Sequence, residues 1–213
     1  MKKECVFCKI AGSDSSQLQE YDQPIFESKN FFVVSALGHF TEGYVLICTK
    51  VHYLNMGALD SNIIEEFEFV KDYVRNMLYD VYGKRPIFFE HGAANIKNSM
   101  RSCIDHAHLH AIPIEIFDLE VFSSPYLINS KDLSVKNITE YSQAGNPYFY
   151  VEISDKRMMF YDAILLPCQY GRRIVAKLVN KSDKWDWRKY SYESDMIKTT
   201  RQLKDWIGRK NGR

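Results

Sequence analysis

Three histidines in the middle of the chain carry its strongest chemical signal. His106, His108 and His110 alternate with small or apolar residues, and the whole chain holds six histidines. In an extended strand alternate side chains share a face, so the three rings would form a row with ~6.6 Å between neighbours. A row of neutral imidazoles has two chemical uses. It binds a metal ion, or one ring attacks phosphorus to form a phospho-imidazole, which is a good leaving group.

Two cysteines near the start of the chain form a second candidate site. Cys5 and Cys8 have the spacing C-x-x-C, and the chain has five cysteines, an odd number for a disulfide framework. The spacing therefore indicates metal or redox use in a reduced, cytoplasmic protein. The alternative interpretation is an incidental pair of cysteines.

The segments around these residues predict an antiparallel sheet with one long helix. Two short β-type runs fall in residues 24–34, and a third follows Gly43 at residues 44–48. Residues 87–90 and 104–114 read as further extended segments. Between them an apolar stripe recurs at helical spacing and ends at Gly83, which is typical of a helix C-terminus. The stripe consists of Ile63, Phe67, Val70, Val74, Met77 and Val81.

The character of the sequence changes near residue 115. We expect one domain over residues 1–115 and an extension over residues 116–213 that packs on it. In the extension, two segments read as strands and two as helices; these are residues 148–153, 157–166, 169–179 and 192–207. Arg172 and Arg173 fall in the first of these helices. They either reach a polyphosphate or form the solvated face of the helix, and we favour the second interpretation.

Composition and charge exclude several classes of protein. The chain has 213 residues, with 28 Lys and Arg against 27 Asp and Glu, which leaves a net charge of +1. This balance gives no strong nucleic-acid signal and no attraction to an anionic membrane. Since no apolar run reaches the ~18 residues of a bilayer span, we expect no membrane association and a cytoplasmic location.

Four motifs, in order, resemble those of the histidine-triad (HIT) family. The run HAHLHAI resembles the family signature, and CVFCKI (residues 5–10) resembles its start. GYVLICTKVH (residues 43–52) and FFEHG (residues 88–92) look like its internal strands and turns. The resemblance covers residues 4–114 and is closest to a bacterial-type branch with a C-terminal extension. It implies an α+β fold, with a HIT-like antiparallel sheet, a long amphipathic helix and an α/β extension packed on them, in a homodimer.

The resemblance also implies an activity and a substrate class. HIT enzymes hydrolyse or transfer a nucleoside monophosphate, so we expect a nucleotide hydrolase or transferase. Its substrate would be a dinucleoside polyphosphate, a nucleoside phosphoramidate or a similar nucleotide conjugate. The catalytic residues would be His108 as the nucleophile at the α-phosphorus, His110 as a stabiliser of developing charge, and His106 as an orienting or metal-binding residue.

Five further residues are predicted to contact the nucleotide. They are His91, Arg101, Ser102, Cys103 and Phe32. For His91 an ordinary loop histidine is an equally good interpretation, and core packing is the safer default for Phe32. Ser102 and Cys103 replace residues that commonly contact phosphate in the family.

The resemblance implies a structural Zn²⁺ and no organic cofactor. Family members with the same start hold zinc with two cysteines and two histidines, which correspond here to Cys5, Cys8, His52 and His106. Two sulfurs and two nitrogens suit tetrahedral Zn²⁺. A catalytic zinc held by His108 and His110 is the less favoured alternative.

A second function from another class stays open. The chain would be a nucleotide-binding or scaffold protein that keeps the fold and the structural zinc but has little catalysis. The replacements at residues 102–103 motivate it, together with Ser35 or Ala36 where the family has an aspartate for the ribose.

Overall fold

A computed structural model of the chain describes residues 5–93, 106–123, 130–132, 135–153, 156–160, 163 and 166–212. The strands are β1 (Phe26–Glu27), β2 (Phe31–Ser35), β3 (Val45–Thr49), β4 (Ile87–Gly92), β5 (His108–Ile112), β6 (Ser130–Asp132), β7 (Tyr148–Ile153) and β8 (Lys156–Phe160). The helices are α1 (Val6–Gly12), α2 (Ile64–Tyr82), α3 (Val135–Gln143), α4 (Tyr170–Leu178) and α5 (Glu193–Asn211). Within this part of the chain, no helix combines the length and apolar character needed to cross a membrane.

The strands form one antiparallel sheet in the order β1-β2-β3-β5-β4-β7-β8-β6. The histidine strand β5 lies near the middle, with β3 on one side and β4 on the other. A central strand has its backbone paired along both edges, so its side chains are held in fixed directions. The predicted α+β class with an antiparallel sheet is confirmed.

The sheet buries a different set of side chains on each face. One apolar cluster contains Phe32, Cys48 and Phe89, together with residues from α1 and α4. The other contains Phe31, Ile47 and residues from α2 and α5. Alternate residues of a strand share a face, so His108 and His110 lie on the same face of β5 as Ile112, which belongs to the first cluster. The two rings therefore emerge on the face covered by α1 and α4.

The long helix α2 forms where the apolar stripe predicts it. Phe67, Val70, Val74 and Met77 are buried in the second cluster. Gly83 ends the helix with φ +70°, a left-handed conformation that glycine adopts without strain, and its N–H donates to the Tyr79 carbonyl at 2.8 Å.

The C-terminal half continues the same sheet. Strand β7 pairs with β4 along its length, from Ile87 opposite Ile153 to Gly92 opposite Tyr148. On the other face, Leu203 and Trp206 of α5 are buried in the cluster that contains α2. The extension thus packs on the first half, as expected, and the division near residue 115 stays a prediction.

Candidate functional site

Strand β5 presents two imidazoles on one face of the sheet. His108 lies opposite Cys48 of β3, and His110 lies opposite Leu46 of β3 and Phe89 of β4. Both histidines are half-buried, whereas Leu109 between them is buried. The alternation predicted from the sequence is confirmed for these two rings. Their centroids lie 5.0 Å apart at an interplanar angle of 67°.

The protein fixes the hydrogen bonding of His108. Its Nδ1 atom lies 2.6 Å from the backbone carbonyl of His106. A carbonyl oxygen only accepts, so Nδ1–H donates and Nε2 carries the lone pair. Burial lowers the pKa of His108, and the charge of Arg172 adds to this effect. A neutral ring with a free Nε2 lone pair can accept a hydrogen bond or act as a nucleophile.

His110 is held by two aromatic side chains. Its ring stacks on Phe89 with centroids 4.3 Å apart and planes at 12°. Its Nδ1 atom lies 2.6 Å from the hydroxyl oxygen of Tyr44. Burial holds the pKa of His110 well below its usual value, and the charge of Arg172 acts in the same direction. His110 is therefore neutral, like its neighbour.

Arg172 contacts Tyr44, the hydrogen-bond partner of His110. The interpretation of Arg172 as a solvated residue, made from the sequence, is wrong. The residue is 4% exposed, and its guanidinium lies 5.3 Å from the centroid of the Tyr44 ring. Gly38 allows this approach, because a Cβ atom there would lie 2.4 Å from Arg172 Nη2. Sequence reasoning missed Tyr44 as a member of the site and favoured a solvated position for Arg172.

Four residues form a compact cluster beside the strand. The potential ligand atoms of Cys5, Cys8, His52 and His106 all lie within 4.8 Å of one another. Cys5 Sγ is 3.4 Å from His106 Nδ1, Cys8 Sγ is 3.3 Å from His52 Nδ1, and the two Nδ1 atoms are 3.2 Å apart. A tetrahedral zinc with ordinary bond lengths separates such atoms by roughly 3.3–3.6 Å. The donor set and its spacing therefore fit a metal ion.

Local structure brings these ligands together. Cys5 caps α1 and Cys8 lies in its first turn, so the two thiols face the same side of the helix. Phe7 lies between them in the sequence and is buried. Its ring centroid is 5.4 Å from that of His106 and 5.4 Å from that of His108. His52 follows β3, the neighbour of β5, and so lies near His106.

His106 has the environment of a metal ligand. It is 1% exposed, and burial lowers its pKa to about 4, so the ring is neutral, as a ligand must be. Its Nε2–H donates to the Thr49 carbonyl at 2.7 Å. Such outer hydrogen bonds commonly orient metal-bound histidines. They leave Nδ1 free for the metal.

The other predicted nucleotide contacts fall in different places. His91 lies in β4 opposite Phe149, not in a turn, and burial lowers its pKa to about 4, with a further contribution from His108. Phe32 is 0% exposed and packs in the core 6.5 Å from the Phe7 ring. Residues 101–103, which include Arg101, Ser102 and Cys103, lie outside the described residues. A role in nucleotide binding stays a prediction for all five.

Comparison with known proteins gives moderate similarity over much of the chain. CWF19-like protein 1 from Xenopus laevis is 26% identical over an alignment of 189 residues that covers 81% of this chain and 33% of that protein. Zinc finger CCCH domain-containing protein 64 from Arabidopsis thaliana is 24% identical over an alignment of 203 residues that covers 87% of this chain and 32% of that protein. The chain thus spans about a third of the length of these curated relatives.

Among solved structures, a HIT family protein from Bacillus anthracis aligns with a TM-score of 0.42 at 22% identity, over 53% of this chain and 74% of that one. This structural likeness is distant. Sequence similarity, and not this likeness, shows that assignment of the chain to the bacterial-type branch of the HIT family is wrong. The family model described as "Protein similar to CwfJ C-terminal" matches residues 1–125, and the curated relatives carry other names. Since this match covers more than half of the 213 residues, the chain belongs to the family of proteins similar to the CwfJ C-terminal.

Proposed function

We propose that this chain is a binding module for a phosphate ester, such as the phosphate of a nucleotide, with little catalysis of its own. The observation that carries the proposal is the pair of half-exposed, neutral imidazoles on β5. Each has its Nδ1 atom engaged by the protein, His108 by a carbonyl and His110 by Tyr44. Among the described residues neither Nε2 atom has a hydrogen-bond partner, so both are available to a ligand.

The charges around the rings favour an anion. Arg172 is buried next to the site and carries a permanent positive charge. In the described part of the chain no carboxylate lies within hydrogen-bond distance of Arg172, His108 or His110. A phosphate group would supply the missing negative charge and accept hydrogen bonds at several oxygens.

The cluster beside the strand would hold Zn²⁺ through Cys5, Cys8, His52 and His106. Two thiolates and two imidazoles complete a tetrahedral shell without an open position, which is typical of structural zinc. The ion would supply cross-linking and no activated water. It would tie α1 to the start of β5 and so fix the direction in which His108 projects.

A covalent reaction at His108 is the second candidate function, favoured by the direction of one hydrogen bond. Since Nδ1–H donates to the His106 carbonyl, the lone pair sits on Nε2. In such a reaction Nε2 bonds to the α-phosphorus of a nucleotide conjugate, and the leaving group departs with the electron pair of its bond to phosphorus and takes a proton. Water then breaks the phosphorus–nitrogen bond, which releases the nucleotide and restores the neutral ring.

One set of measurements separates these functions. Binding of AMP is measured by calorimetry for the wild type, His108→Ala and His110→Ala. Turnover of a dinucleoside polyphosphate and of an AMP phosphoramidate is followed with the same proteins. Glu65→Gln, an exposed change on α2, serves as the control.

We expect the wild type to bind AMP without appreciable turnover, and both alanine variants to bind at least about tenfold more weakly. Turnover by the wild type that disappears in His108→Ala would establish the covalent reaction instead. Absence of both binding and turnover in a folded, zinc-loaded wild type would contradict both functions.

A further inference from the structure

The guanidinium of Arg172 is buried, and no described residue gives it a negative partner. Its Nε donates to the Trp185 carbonyl at 2.9 Å, and Nη2 donates to the Gly38 carbonyl at 2.7 Å. Its Nη1 donates to the Leu37 carbonyl at 3.2 Å and to the Tyr44 hydroxyl oxygen at 3.1 Å. All four acceptors are uncharged. The cation is thus well hydrogen-bonded, but its charge is not neutralised by these contacts.

The contact with Arg172 decides the direction of the Tyr44 hydroxyl. Tyr44 is 0% exposed, and its oxygen has two hydrogen-bond neighbours among the described residues, Arg172 Nη1 and His110 Nδ1. A guanidinium has no acceptor, so the Tyr44 proton cannot point at Arg172. A buried hydroxyl proton without an acceptor is unfavourable. The Tyr44 O–H therefore donates to His110 Nδ1.

This direction fixes the tautomer of His110. A neutral imidazole carries one proton, and if Nδ1 accepts, the proton is on Nε2. The neighbouring His108 has the opposite arrangement, because its Nδ1–H donates to a carbonyl. The two adjacent rings thus present different groups at Nε2, a lone pair on His108 and an N–H donor on His110.

We propose that Arg172 is a positioning residue that acts through Tyr44 to hold His110 as the Nε2–H donor to an anionic phosphate oxygen. The proposal rests on the proposed phosphate-ester function. It assigns to α4, which lies outside the matched residues 1–125, a direct part in building the site on β5. The charge of Arg172 also adds an attraction for the anion that the neutral imidazoles lack.

The tautomer is measured directly by ¹⁵N NMR of the histidine side chains, with His110 assigned by its loss in His110→Ala. We compare the wild type with Tyr44→Phe and Arg172→Met and measure AMP affinity for each. Tyr82→Phe removes a different tyrosine hydroxyl, which donates to Gln202, and Arg201→Met removes an arginine charge from the surface of α5. These two variants are the matched controls. Zinc content verifies that each protein is folded.

We expect His110 in the wild type to carry its proton on Nε2. In Tyr44→Phe, which changes only the hydroxyl, the Nδ1–H form should become populated and AMP affinity should fall about tenfold. Arg172→Met should weaken AMP binding at least as much, and the controls should match the wild type. An Nδ1–H tautomer in the wild type, or unchanged tautomer and affinity in Tyr44→Phe, would overturn the proposal. If the wild type does not bind AMP, the phosphate function fails, and the tautomer spectra still decide whether Arg172 and Tyr44 position His110.

Discussion

The backbone carbonyl of Thr49 accepts a hydrogen bond from His106 Nε2 at 2.7 Å, and the Thr49 hydroxyl oxygen lies 3.0 Å from the same nitrogen. Thr49 is the last residue of β3, and His106 lies just before β5. The contact orients the imidazole so that Nδ1 faces Cys5 and Cys8. Pairing of β3 with β5 therefore determines the position of a candidate metal ligand.

Thr49→Val is expected to weaken zinc binding. The substitution removes the hydroxyl at nearly constant volume and leaves the carbonyl in place. Loss of an outer hydrogen-bonding partner typically lowers metal affinity by ~10–100-fold, and we expect the lower end because one acceptor remains. Competition with a chromogenic chelator measures the change. An affinity equal to that of the wild type would show that the hydroxyl does not support His106.

Cys5→Ser is expected to remove the metal. The substitution removes one of the four side chains that would bind the ion directly. Zinc affinity should therefore fall by more than the ~100-fold that the loss of an outer hydrogen-bonding partner costs at most. Metal analysis after gel filtration should show equimolar zinc in the wild type and little in the variant. The melting temperature should fall, and further addition of EDTA should lower it only for the wild type.

Cys48→Ala is the matched control for this loss of a thiol, because Cys48 is a buried free cysteine that does not belong to the cluster. It should retain the metal. Zinc retained in Cys5→Ser would contradict the four-ligand site and would point to metal bound elsewhere, for instance at His108 and His110.

Patterns that are local in the sequence predicted much of this structure. The apolar stripe located α2, because the helical period repeats within a few residues and Gly83 marks its end. The alternation around His108 located β5 for the same reason. C-x-x-C and two distant histidines indicated the four residues of the candidate metal site, although the prediction that they lie close together depended on a family resemblance and not on spacing.

Features that depend on tertiary packing could not be predicted in this way. Arg172 reads as one of two adjacent arginines on an amphipathic helix, and only the packing of α4 against Gly38 and Tyr44 shows that it is buried. The family assignment failed for a related reason. It rested on short motifs around the histidines, whereas the match over residues 1–125 belongs to another family.

Glu90 gives a prediction about the pH dependence of stability. It is 3% exposed, accepts from the Met56 N–H at 2.8 Å and from the Tyr148 hydroxyl, and burial raises its pKa from 4.5 to about 7. The native state then binds this proton more tightly than the unfolded state. The contribution of Glu90 to stability is therefore present below pH 4.5 and is lost as the pH rises to 7.

Glu90→Gln mimics the protonated carboxyl and should remove this loss. The free energy of unfolding of the variant, relative to the wild type, should rise by roughly 2–3 kcal/mol between the two pKa values. Urea denaturation at several pH values measures the difference in the free energy of unfolding between the variant and the wild type. The contribution of the histidines that titrate in the same range is common to both proteins and cancels in this difference. Glu65→Gln removes an exposed carboxylate from α2 and should give a flat difference curve. If the difference curve of Glu90→Gln is also flat, Glu90 has the same pKa in the native and the unfolded state, which contradicts the prediction.

The charges between α2 and β7 give a prediction about how the two halves of the chain are joined. Lys71 Nζ lies 3.2 Å from Glu152, and both side chains are 1% exposed. Arg75 donates to the same carboxylate at 2.8 Å. Removing one partner of a buried ion pair leaves the other charge without full compensation, which costs about 3–5 kcal/mol. In Glu152→Gln, Lys71 still has Glu68 as a partner at 2.8 Å, so its charge stays partly compensated. We therefore expect the lower end of this range, a destabilisation of about 3 kcal/mol.

Asp72→Asn provides the comparison, because Asp72 pairs with Arg75 at 3.3 Å but its side chain is 66% exposed. An exposed pair contributes ~0–1 kcal/mol, so this variant should unfold close to the wild type. Thermal and urea unfolding of both variants measure the difference. Both halves should still unfold in one transition, since β7 is paired with β4 along its length. Equal and small losses in the two variants would mean that the Glu152 carboxylate is solvated in solution and does not fasten β7 to α2.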